Sequence, residues 1–411
     1  MEFIVSRNAL LQALQHTSCV ISKSPKQIFT YFVFSFDGKK MTVHATNGEI
    51  WMTETVYLDN EPVTPRPIAI YYCDLMKPIK SLDEQPLRFD VLEYQVVVRH
   101  SIGSFRIPLY QNVQEYFDLK IPKPYVEADD GWSLSYEAPG LKSILKRCNF
   151  AMAQDELRPV MNGVYFNLTD KFCDYVSSDG HKLVRVRKNR SADSSFVVNN
   201  LSFIIPSPVV KALLKILPDT GDATVEYQKE LQEKTTRTDF TGKRETWNVT
   251  VRKPQCRIII DDTITISFNT VEGIYPSYWK VIPDSFNFKT TIDRKALFKS
   301  CDRLSLFTST SGLVKMDIDE TAVELTSSDR NFDVAGDETL VCESEPSDGH
   351  SPISLRIGLK AVSVSQTLKA LSAEKVVFLF QDPSKAVLIQ PQPQPFNEEI
   401  TMLLMPTLIN N

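Results

Sequence analysis

The segment "CDYVSSDGHKLV" (173–184) places two serines, an aspartate and a histidine between two runs of alternating apolar and polar residues. The alternation on both sides of Asp179-Gly180 predicts a β-hairpin, because Asp and Gly tolerate the positive φ angles of a tight turn. Ser, Asp and His are also the ingredients of a hydrolytic site. A recurrence of the pattern elsewhere in the chain decides between a turn and an active site.

The pattern occurs three times. "MTVHATNGEIWM" (41–52) and "VELTSSDRNFDV" (323–334) have the same alternation around a small polar turn. Their predicted turns are Asn47-Gly48 and Ser328-Asp329-Arg330. Only the second copy has a histidine directly after the turn, so the repeat favours a structural turn. A hydrolase that uses Ser177 or Ser178 with Asp179 and His181 stays as an alternative.

Amphipathic segments flank each hairpin and predict helices. The six segments are 6–17, 69–82, 138–150, 207–217, 293–304 and 358–373. A strand leads into each segment and further strands follow it, which predicts an α+β fold of three similar domains. Each domain is built from two strand–helix–strands halves, and we expect the domains to span 1–126, 127–286 and 287–411. Pro78 should end or kink the second helix near Lys77.

Two polar stretches interrupt this plan. Residues 228–256 are predicted to form an elongated hairpin or loop inserted into the second domain. Residues 342–352, "CESEPSDGHSP", are predicted to be an acidic loop in the third domain. Neither stretch has the apolar content to form a core, so both are expected to be solvated.

The helical segments are basic although the chain as a whole is acidic. They hold fourteen Lys or Arg and three Asp or Glu, in a chain with a formal net charge of −5. Several basic residues are one helical turn apart and share a face. These pairs are Lys142 with Lys146, Lys211 with Lys215, and Lys299 with Arg303. Such faces predict salt-sensitive, sequence-independent contacts with the phosphates of a nucleic acid.

Other classes of protein lack support in the sequence. No apolar run is long enough to cross a bilayer and the N-terminus has no signal-peptide features, so we expect a cytoplasmic protein with no membrane contact. The seven cysteines and five histidines lack metal-ligand spacing, and the phosphate-binding glycine motifs are absent. No metal or cofactor is therefore expected.

Four motifs resemble the bacterial sliding clamp, the β subunit of DNA polymerase III. They are "FAMAQDELRPVMNGVYFN" (150–167), "SSDGHKLVRV" (177–186), "VEGIYPSYWKVIP" (271–283) and "LLMP" (403–406). The resemblance covers nearly the whole chain outside the two polar stretches. It implies a non-enzymatic processivity factor, in which a head-to-tail homodimer encircles double-stranded DNA with its helices inside and its sheets outside.

The resemblance also implies three groups of functional residues. A pocket between the second and third domains, for peptides of DNA polymerases and the clamp loader, would comprise Arg158, Met161, Ser178, Gly180, His181, Lys182, Leu183, Pro276, Val281, Ala386, Leu403, Leu404, Met405 and Pro406. DNA contacts would come from Lys23, Lys26, Lys77, Lys142, Lys146, Lys211, Lys215, Lys299 and Arg303. The dimer interface would include Phe105, Ile107, Leu109, Leu304, Leu306 and Phe307.

Two positions depart from the family pattern. Ser24 precedes Pro25 where many members have an arginine, and the chain continues past Pro406 as "TLINN" without a basic residue. The second departure could alter or partly cover the pocket. These departures leave open a divergent paralogue that binds peptides as a scaffold without encircling DNA.

Overall fold

The computed structural model describes residues 1–22, 26–122, 131–189, 200–238, 244–308, 312–329, 332–347, 354–407 and 409. Within 231–238 and 244–252 it describes the backbone alone. The chain forms two compact units. Unit 1 comprises Met1–Lys142 and Lys211–Thr270, and unit 2 comprises Ser143–Val210 and Val271–Asn411. The predicted central domain, 127–286, has residues in both units, and the three-domain division remains a prediction.

Six strand–helix–strands halves follow one another along the chain, and in each the helix begins directly after the first strand. The first two halves are β1 (Glu2–Ser6), α1 (Arg7–Thr17), β2 (Tyr31–Asp37), β3 (Lys40–Thr46) and β4 (Ile50–Tyr57), then β5 (Ile68–Tyr71), α2 (Tyr72–Ser81), β6 (Pro86–Val91), β7 (Gln95–His100) and β8 (Gly103–Pro108), followed by a short helix α3 (Gln114–Phe117). The third half is β9 (Gly131–Glu137), α4 (Ala138–Asn149), β10 (Gly163–Leu168), β11 (Phe172–Ser178) and β12 (Lys182–Asn189).

The remaining halves repeat this order, and the fourth carries an additional hairpin. The fourth is β13 (Leu201–Pro206), α5 (Ser207–Ile216), β14 (Asp222–Gln228), β15 (Leu231–Thr238), β16 (Arg244–Arg252), β17 (Gln255–Ile260) and β18 (Ile264–Asn269). The last two are β19 (Phe288–Asp293), α6 (Arg294–Leu304), β20 (Leu313–Ile318), β21 (Ala322–Asp329) and β22 (Val334–Pro346), then β23 (Leu355–Lys360), α7 (Ala361–Ala370), β24 (Lys375–Phe380), β25 (Val387–Gln392) and β26 (Glu398–Leu404). The α+β class and all six predicted helices are confirmed.

Within the described residues, the strands pair antiparallel in four sheets. Unit 1 contains the sheet β1-β6-β7-β8, the sheet β5-β2-β3-β4-β18-β17-β14-β9 and the pair β15-β16. Unit 2 contains one sheet of twelve strands, β13-β10-β11-β12-β26-β25-β24-β19-β22-β21-β20-β23. In each of the two larger sheets, strands from halves far apart in sequence meet at a joint. The joints are β4–β18, where Ile266 faces Met52, and β12–β26, where Leu183 faces Leu403.

Caps and apolar stripes explain the helices. Ser6 and Asp293 precede α1 and α6, and their side chains accept hydrogen bonds from Ala9 N at 3.3 Å and Ala296 N at 2.7 Å. The residues buried on each helix recur at intervals of three and four, as expected for one face packed on a sheet. These are Leu10, Ala13, Leu14 and Thr17 in α1, and Leu297, Ser300, Cys301 and Leu304 in α6.

Of the two effects predicted for Pro78, an end of α2 near Lys77 is wrong, because α2 continues through Pro78 to Ser81, and a kink stays a prediction. Arg7 contacts the C-terminal end of α2, beyond Pro78. Its Nε donates to Ile79 O at 3.0 Å and its Nη2 donates to Lys80 O at 2.8 Å. The guanidinium thereby caps carbonyl groups that a helix end leaves without a partner. The last turn is held from outside the helix.

The region around 328–346 also differs from prediction. Ser328 and Asp329 belong to β21 and not to a turn, and Arg330 lies outside the described residues. Residues 342–346 belong to β22 and not to a loop, since they pair with β19 from Cys342↔Ile292 to Pro346↔Phe288. Glu345 lies opposite Lys289 of β19, and Glu343 contacts Lys375 of β24 beyond it, both at 3.5 Å. Charge pairing across strands explains how an acidic run forms a strand.

The polar stretch 228–256 contains the predicted hairpin. β15 and β16 pair antiparallel from Leu231↔Arg252 to Thr238↔Arg244 and form a two-stranded sheet. Residues 239–243 lie outside the described ranges. In the part of the chain that the structure describes, no helix combines the length and apolar character needed to span a membrane.

Candidate functional site

The 178–182 turn is held by its own side chains. Asp179 Oδ1 accepts hydrogen bonds from the backbone N–H groups of His181 and Lys182, both at 2.9 Å. Ser178 Oγ accepts from Gly180 N at 3.1 Å and donates to Lys182 O at 2.9 Å. Burial acts to raise the pKa of Asp179, but hydrogen bonds from Lys182 and from the two N–H groups outweigh it and lower that pKa. These polar groups stabilise the turn.

The contacts of the two serines disfavour a hydrolytic triad. Ser177 Oγ is buried and donates to Cys148 O at 2.7 Å, away from the turn. Lys182 Nζ contacts Asp179 Oδ2 at 2.5 Å. The carboxylate therefore binds the backbone of the turn through one oxygen and a lysine through the other. A triad requires the acid to orient the imidazole and the imidazole to reach the serine.

An apolar cluster lies beside this turn, where β12 pairs with β26. The buried members are Val176, Leu183, Ile204, Tyr275, Tyr278, Val377, Leu379, Leu388 and Leu403, and Val160, Tyr165, Val271, Ile282 and Ala386 pack against them. The cluster joins three residues of the predicted pocket, Leu183, Leu403 and Ala386, that are far apart in sequence.

Residues of the predicted pocket divide into buried and accessible sets. Met161, Ser178, Leu183, Leu403 and Leu404 are buried. Arg158, Gly180, His181, Pro276, Val281 and Met405 are exposed, and Lys182, Ala386 and Pro406 are half-buried. Val281 and Met405 keep 55% and 45% of their surface exposed although both are apolar. Exposed apolar side chains next to a buried apolar cluster are typical of a binding site.

Two contacts fix the accessible residues around the turn. Met405 N donates to His181 O at 2.8 Å, which holds the C-terminal segment against the turn. Gly180 has φ +88°, and a Cβ atom there would lie 3.0 Å from Arg158 Nη1. Arg158 is in turn held by Asp155 at 2.8 Å. The turn, Arg158 and the C-terminal segment therefore adjoin.

A buried ion pair that sequence reasoning missed supports the 275–283 segment. Asp174 is fully buried and accepts from Arg187 Nε at 2.7 Å and Nη2 at 2.8 Å. Tyr278 OH donates to the same carboxylate at 2.6 Å. Burial, and then this hydrogen bond, raise the pKa of Tyr278. Asp174 and Arg187 face each other in the β11–β12 hairpin, and opposite charges in facing positions were the available signal.

The C-terminal extension leaves the turn and runs to β23. Thr407 N donates to Gly358 O at 2.8 Å. A Cβ atom at Gly358 would lie 2.7 Å from Thr407 O and 3.0 Å from Ile409 Cγ1. The absence of a side chain at Gly358 thus makes room for the extension. The segment containing Met405 is held at His181 on one side and at Gly358 on the other.

The predicted DNA contacts differ in their surroundings. Lys26, Lys77, Lys146, Lys211, Lys215, Lys299 and Arg303 are exposed, Lys142 is half-buried, and Lys23 lies outside the described residues. Lys142 Nζ donates to Asp219 at 2.7 Å, and a hydrogen bond from Lys142 lowers the pKa of Asp219. Arg303 donates to Glu338 at 2.6 and 2.7 Å, and that hydrogen bond raises the pKa of Arg303.

Two basic residues of the helical segments have structural roles. Arg7 caps α2, and Arg294 occupies the equivalent first position of α6. Arg294 donates to Leu368 O at 3.1 Å and to Ala373 O at 2.6 Å, at the end of α7. The count of basic residues in the segments therefore overestimates the charge available for phosphates.

The predicted interface residues fall into two groups. Ile107, Leu109 and Leu304 are buried, whereas Leu306 is 79% exposed and Phe307 is 37% exposed. Phe105 is half-buried and lies in β8, the last strand of its sheet. Phe307 lies beside β22, because a Cβ atom at Gly336 would lie 3.2 Å from its ring.

The comparisons with known proteins agree with this architecture. The family models for the DNA polymerase III beta subunit match residues 137–277 with the central domain and 279–408 with the C-terminal domain. A beta sliding clamp of Pseudomonas putida is 23% identical over 413 residues, which cover 99% of each chain. One of Staphylococcus aureus is 24% identical over 285 residues, 69% of this chain and 65% of that protein.

A solved structure confirms the fold. The beta subunit from the DNA polymerase of Streptococcus pyogenes superposes with a TM-score of 0.82 at 19% identity, and the match covers both chains completely. The resemblance that the four motifs predicted is thereby confirmed. The chain belongs to the DNA polymerase III beta subunit family and has the fold of its sliding clamps.

Proposed function

We propose that this chain is a DNA sliding clamp that confers processivity on a replicative DNA polymerase. Two copies would close head-to-tail around duplex DNA in the cytoplasm and act without catalytic turnover. The observation that supports the proposal is the β12–β26 joint, which combines an apolar cluster, a hydrogen-bonded turn and the exposed side chains of Met405 and Val281, as binding of an extended peptide would require. A protein that tethers a polymerase needs such a site.

The peptide would bind along the accessible residues of the predicted pocket. Apolar anchors would contact Val281, Met405 and the cluster beneath them, where buried apolar area contributes most of the affinity. Arg158, His181 and the backbone of the turn would supply polar contacts. Tyr278, held by Asp174, would keep the 275–283 segment in place.

The proposed DNA surface consists of the exposed basic side chains on the helices. Lys77, Lys146, Lys211, Lys215 and Lys299 are the strongest members, because Lys142 and Arg303 are already paired with carboxylates. To contact DNA, Lys142 and Arg303 would have to leave their carboxylate partners and bind a phosphate instead. The resulting binding would be weak and salt-sensitive, and a closed ring would supply retention.

Two strand edges support the proposed dimer. β8 ends the sheet β1-β6-β7-β8. In β22, residues 334–341 pair with β21, and the pairing with β19 begins only at Cys342. Both edges can pair with a strand of a second copy, which would cover them. Phe307 lies beside β22, and Phe307 and the exposed Leu306 would add apolar contact.

A divergent clamp that serves as a peptide scaffold without encircling DNA is the second candidate. The pairing of Lys142 with Asp219 and of Arg303 with Glu338 favours it, since both cations already have partners. The two functions share the peptide site and differ in whether a closed dimer surrounds DNA and the remaining lysines contact it.

Charge reversal separates the candidates. A variant with Lys146→Glu, Lys211→Glu, Lys215→Glu and Lys299→Glu should lose stimulation of a polymerase on primed DNA and retain peptide binding. A matched control reverses four exposed lysines outside the helices, Lys39→Glu, Lys40→Glu, Lys120→Glu and Lys171→Glu, and should stimulate normally. Unchanged stimulation by the helix variant would exclude the clamp and favour the scaffold.

A further inference from the structure

A cavity of about 570 Å³ lies in unit 1 at the beginning of α2, and its described lining contains none of the residues assigned above to peptide or DNA. Tyr31, Tyr71 and Tyr110 line it, together with Asp74, Gln111 and Asn112. Tyr31 and Tyr71 face each other across β2 and β5, and Tyr110 follows β8. The cavity is therefore built from elements that pair with one another.

The three rings hold each other in place. The centroids of Tyr31 and Tyr110 are 4.8 Å apart, and those of Tyr31 and Tyr71 are 5.6 Å apart with planes at 61°. Tyr110 N donates to Ala69 O at 2.9 Å, which fixes the segment after β8 to β5. Tyr31 and Tyr110 also pack against the apolar cluster around Ile28 and Trp51. A ligand would meet a preformed site.

The charges around the cavity favour a cation. Asp74 is the charged group among the described residues that line it, whereas Lys26 and Lys77 lie on adjoining elements outside the lining. Tyr110 OH donates to Glu115 at 2.8 Å, which increases the electron density of that ring. The N-terminus of α2 opposes a cation, but its effect is smaller than that of a full carboxylate charge. Aromatic faces attract cations.

We propose that this cavity binds an arginine side chain of a partner peptide. A guanidinium is planar and stacks on tyrosine rings, and it can donate two parallel hydrogen bonds to Asp74. The side-chain oxygens of Gln111 and Asn112 can accept further N–H groups. An ammonium group has the same charge but lacks the plane and the paired donors. Pro108 and Leu109 at the end of β8 also line the cavity, so it adjoins the strand edge proposed for the dimer, but arginine binding is tested without reference to the clamp function.

The test uses the full chain with ¹³C-labelled tyrosine rings, titrated with acetyl-arginine-amide and followed by NMR. We expect saturable shifts of the Tyr31, Tyr71 and Tyr110 signals. Acetyl-citrulline-amide has nearly the same shape without the charge and should bind about tenfold more weakly. Equal binding of the two probes, or stronger binding of acetyl-lysine-amide than of acetyl-arginine-amide, would overturn the assignment.

Variants locate the interaction. Asp74→Asn should weaken arginine binding about tenfold, and Asp83→Asn, which removes the same charge from an exposed position beyond α2, should leave it unchanged. Tyr31→Leu should weaken binding, whereas Tyr31→Phe, which keeps the ring, should bind nearly as well. The melting temperature of each variant verifies its folding. Normal binding by folded Asp74→Asn would refute the site.

Discussion

Two hairpin turns of the molecule have the same internal chemistry and opposite surroundings. At 46–50, Thr46 Oγ1 accepts from Gly48 N at 3.0 Å, and Asn47 Oδ1 accepts from the N–H groups of Glu49 and Ile50, both at 2.9 Å. Ser178 and Asp179 make the equivalent bonds at 178–182. The ring of Phe29 covers the first turn, since a Cβ at Gly48 would lie 2.8 Å from it.

The second turn has no such cover among its described neighbours. The contact of Gly180 is the flexible end of Arg158, and the C-terminal segment passes on one side and leaves toward Gly358. The repeated sequence pattern therefore produces the same hydrogen-bonded turn in both places. The residues that pack over the turn determine whether it is buried in the core or accessible to a ligand.

The largest expected effect concerns the ion pair beneath the accessible turn. Arg187→Met leaves the buried carboxylate of Asp174 without its main partner and should destabilise unit 2 by about 3–5 kcal/mol. Chemical denaturation measures the change. The control Arg88→Met removes an exposed arginine paired with Glu2 and Asp90, and should destabilise the protein far less, because solvent screens an exposed ion pair. Similar losses for both would refute the supporting role of Asp174.

A matched pair of substitutions compares the two turns directly. Gly48→Ala and Gly180→Ala both place a side chain at a positive φ, +92° and +88°, which costs about 1–2 kcal/mol. Gly48→Ala also forces its Cβ into Phe29 and should lose about 1–3 kcal/mol more. If thermal or chemical unfolding showed equal destabilisation of the two variants, the conclusion that Phe29 covers the first turn and that the second turn is open would be contradicted.

The covered turn region should also respond to acid. Burial lowers the pKa of His44, in β3, from 6.5 to about 4. The unfolded chain then binds more protons between these values, so stability should fall as the pH drops from 6.5 toward 4, by about 1 kcal/mol per pH unit. Denaturation curves at several pH values measure this slope. His44→Gln should reduce this slope. An unchanged slope in that variant would show that other titratable groups cause the loss of stability in acid.

The smallest expected effect concerns the accessible joint itself. Met405→Ala should weaken an extended peptide with Leu and Phe anchors about tenfold, with little loss of stability, because Met405 is half exposed. Phe396→Ala removes another exposed apolar side chain preceding β26 and should leave affinity unchanged. Titration calorimetry provides both values. Unaltered affinity in Met405→Ala would place the peptide elsewhere.

Local patterns in the sequence predict most of the fold. Apolar periodicity finds all six helices, and alternation around Asn47-Gly48 and Asp179-Gly180 finds two hairpins. The predictions fail where contacts between residues distant in sequence determine the local structure. Arg7 holds α2 beyond Pro78, and pairing with β19 makes residues 342–346 a strand. No local pattern contains these partners.

The candidate site is predictable only through family resemblance. The motifs around 178–183 and 403–406 identify its residues, but the β12–β26 pairing that joins them spans more than half of the chain. The cover of Phe29 over Gly48 and the anchoring of Thr407 at Gly358 depend on tertiary packing. The periodicity of apolar residues predicts which face of a helix or strand is buried, but it does not predict which residues pack against that face.

The central claim is that this chain is retained on DNA by topology. The direct measurement loads the protein onto a nicked circular duplex with a clamp loader and isolates the complex in high salt, where phosphate contacts are screened. The account predicts that the protein stays on intact circles and leaves within minutes once a restriction enzyme cuts them. Equal dissociation from intact and cut circles would contradict it.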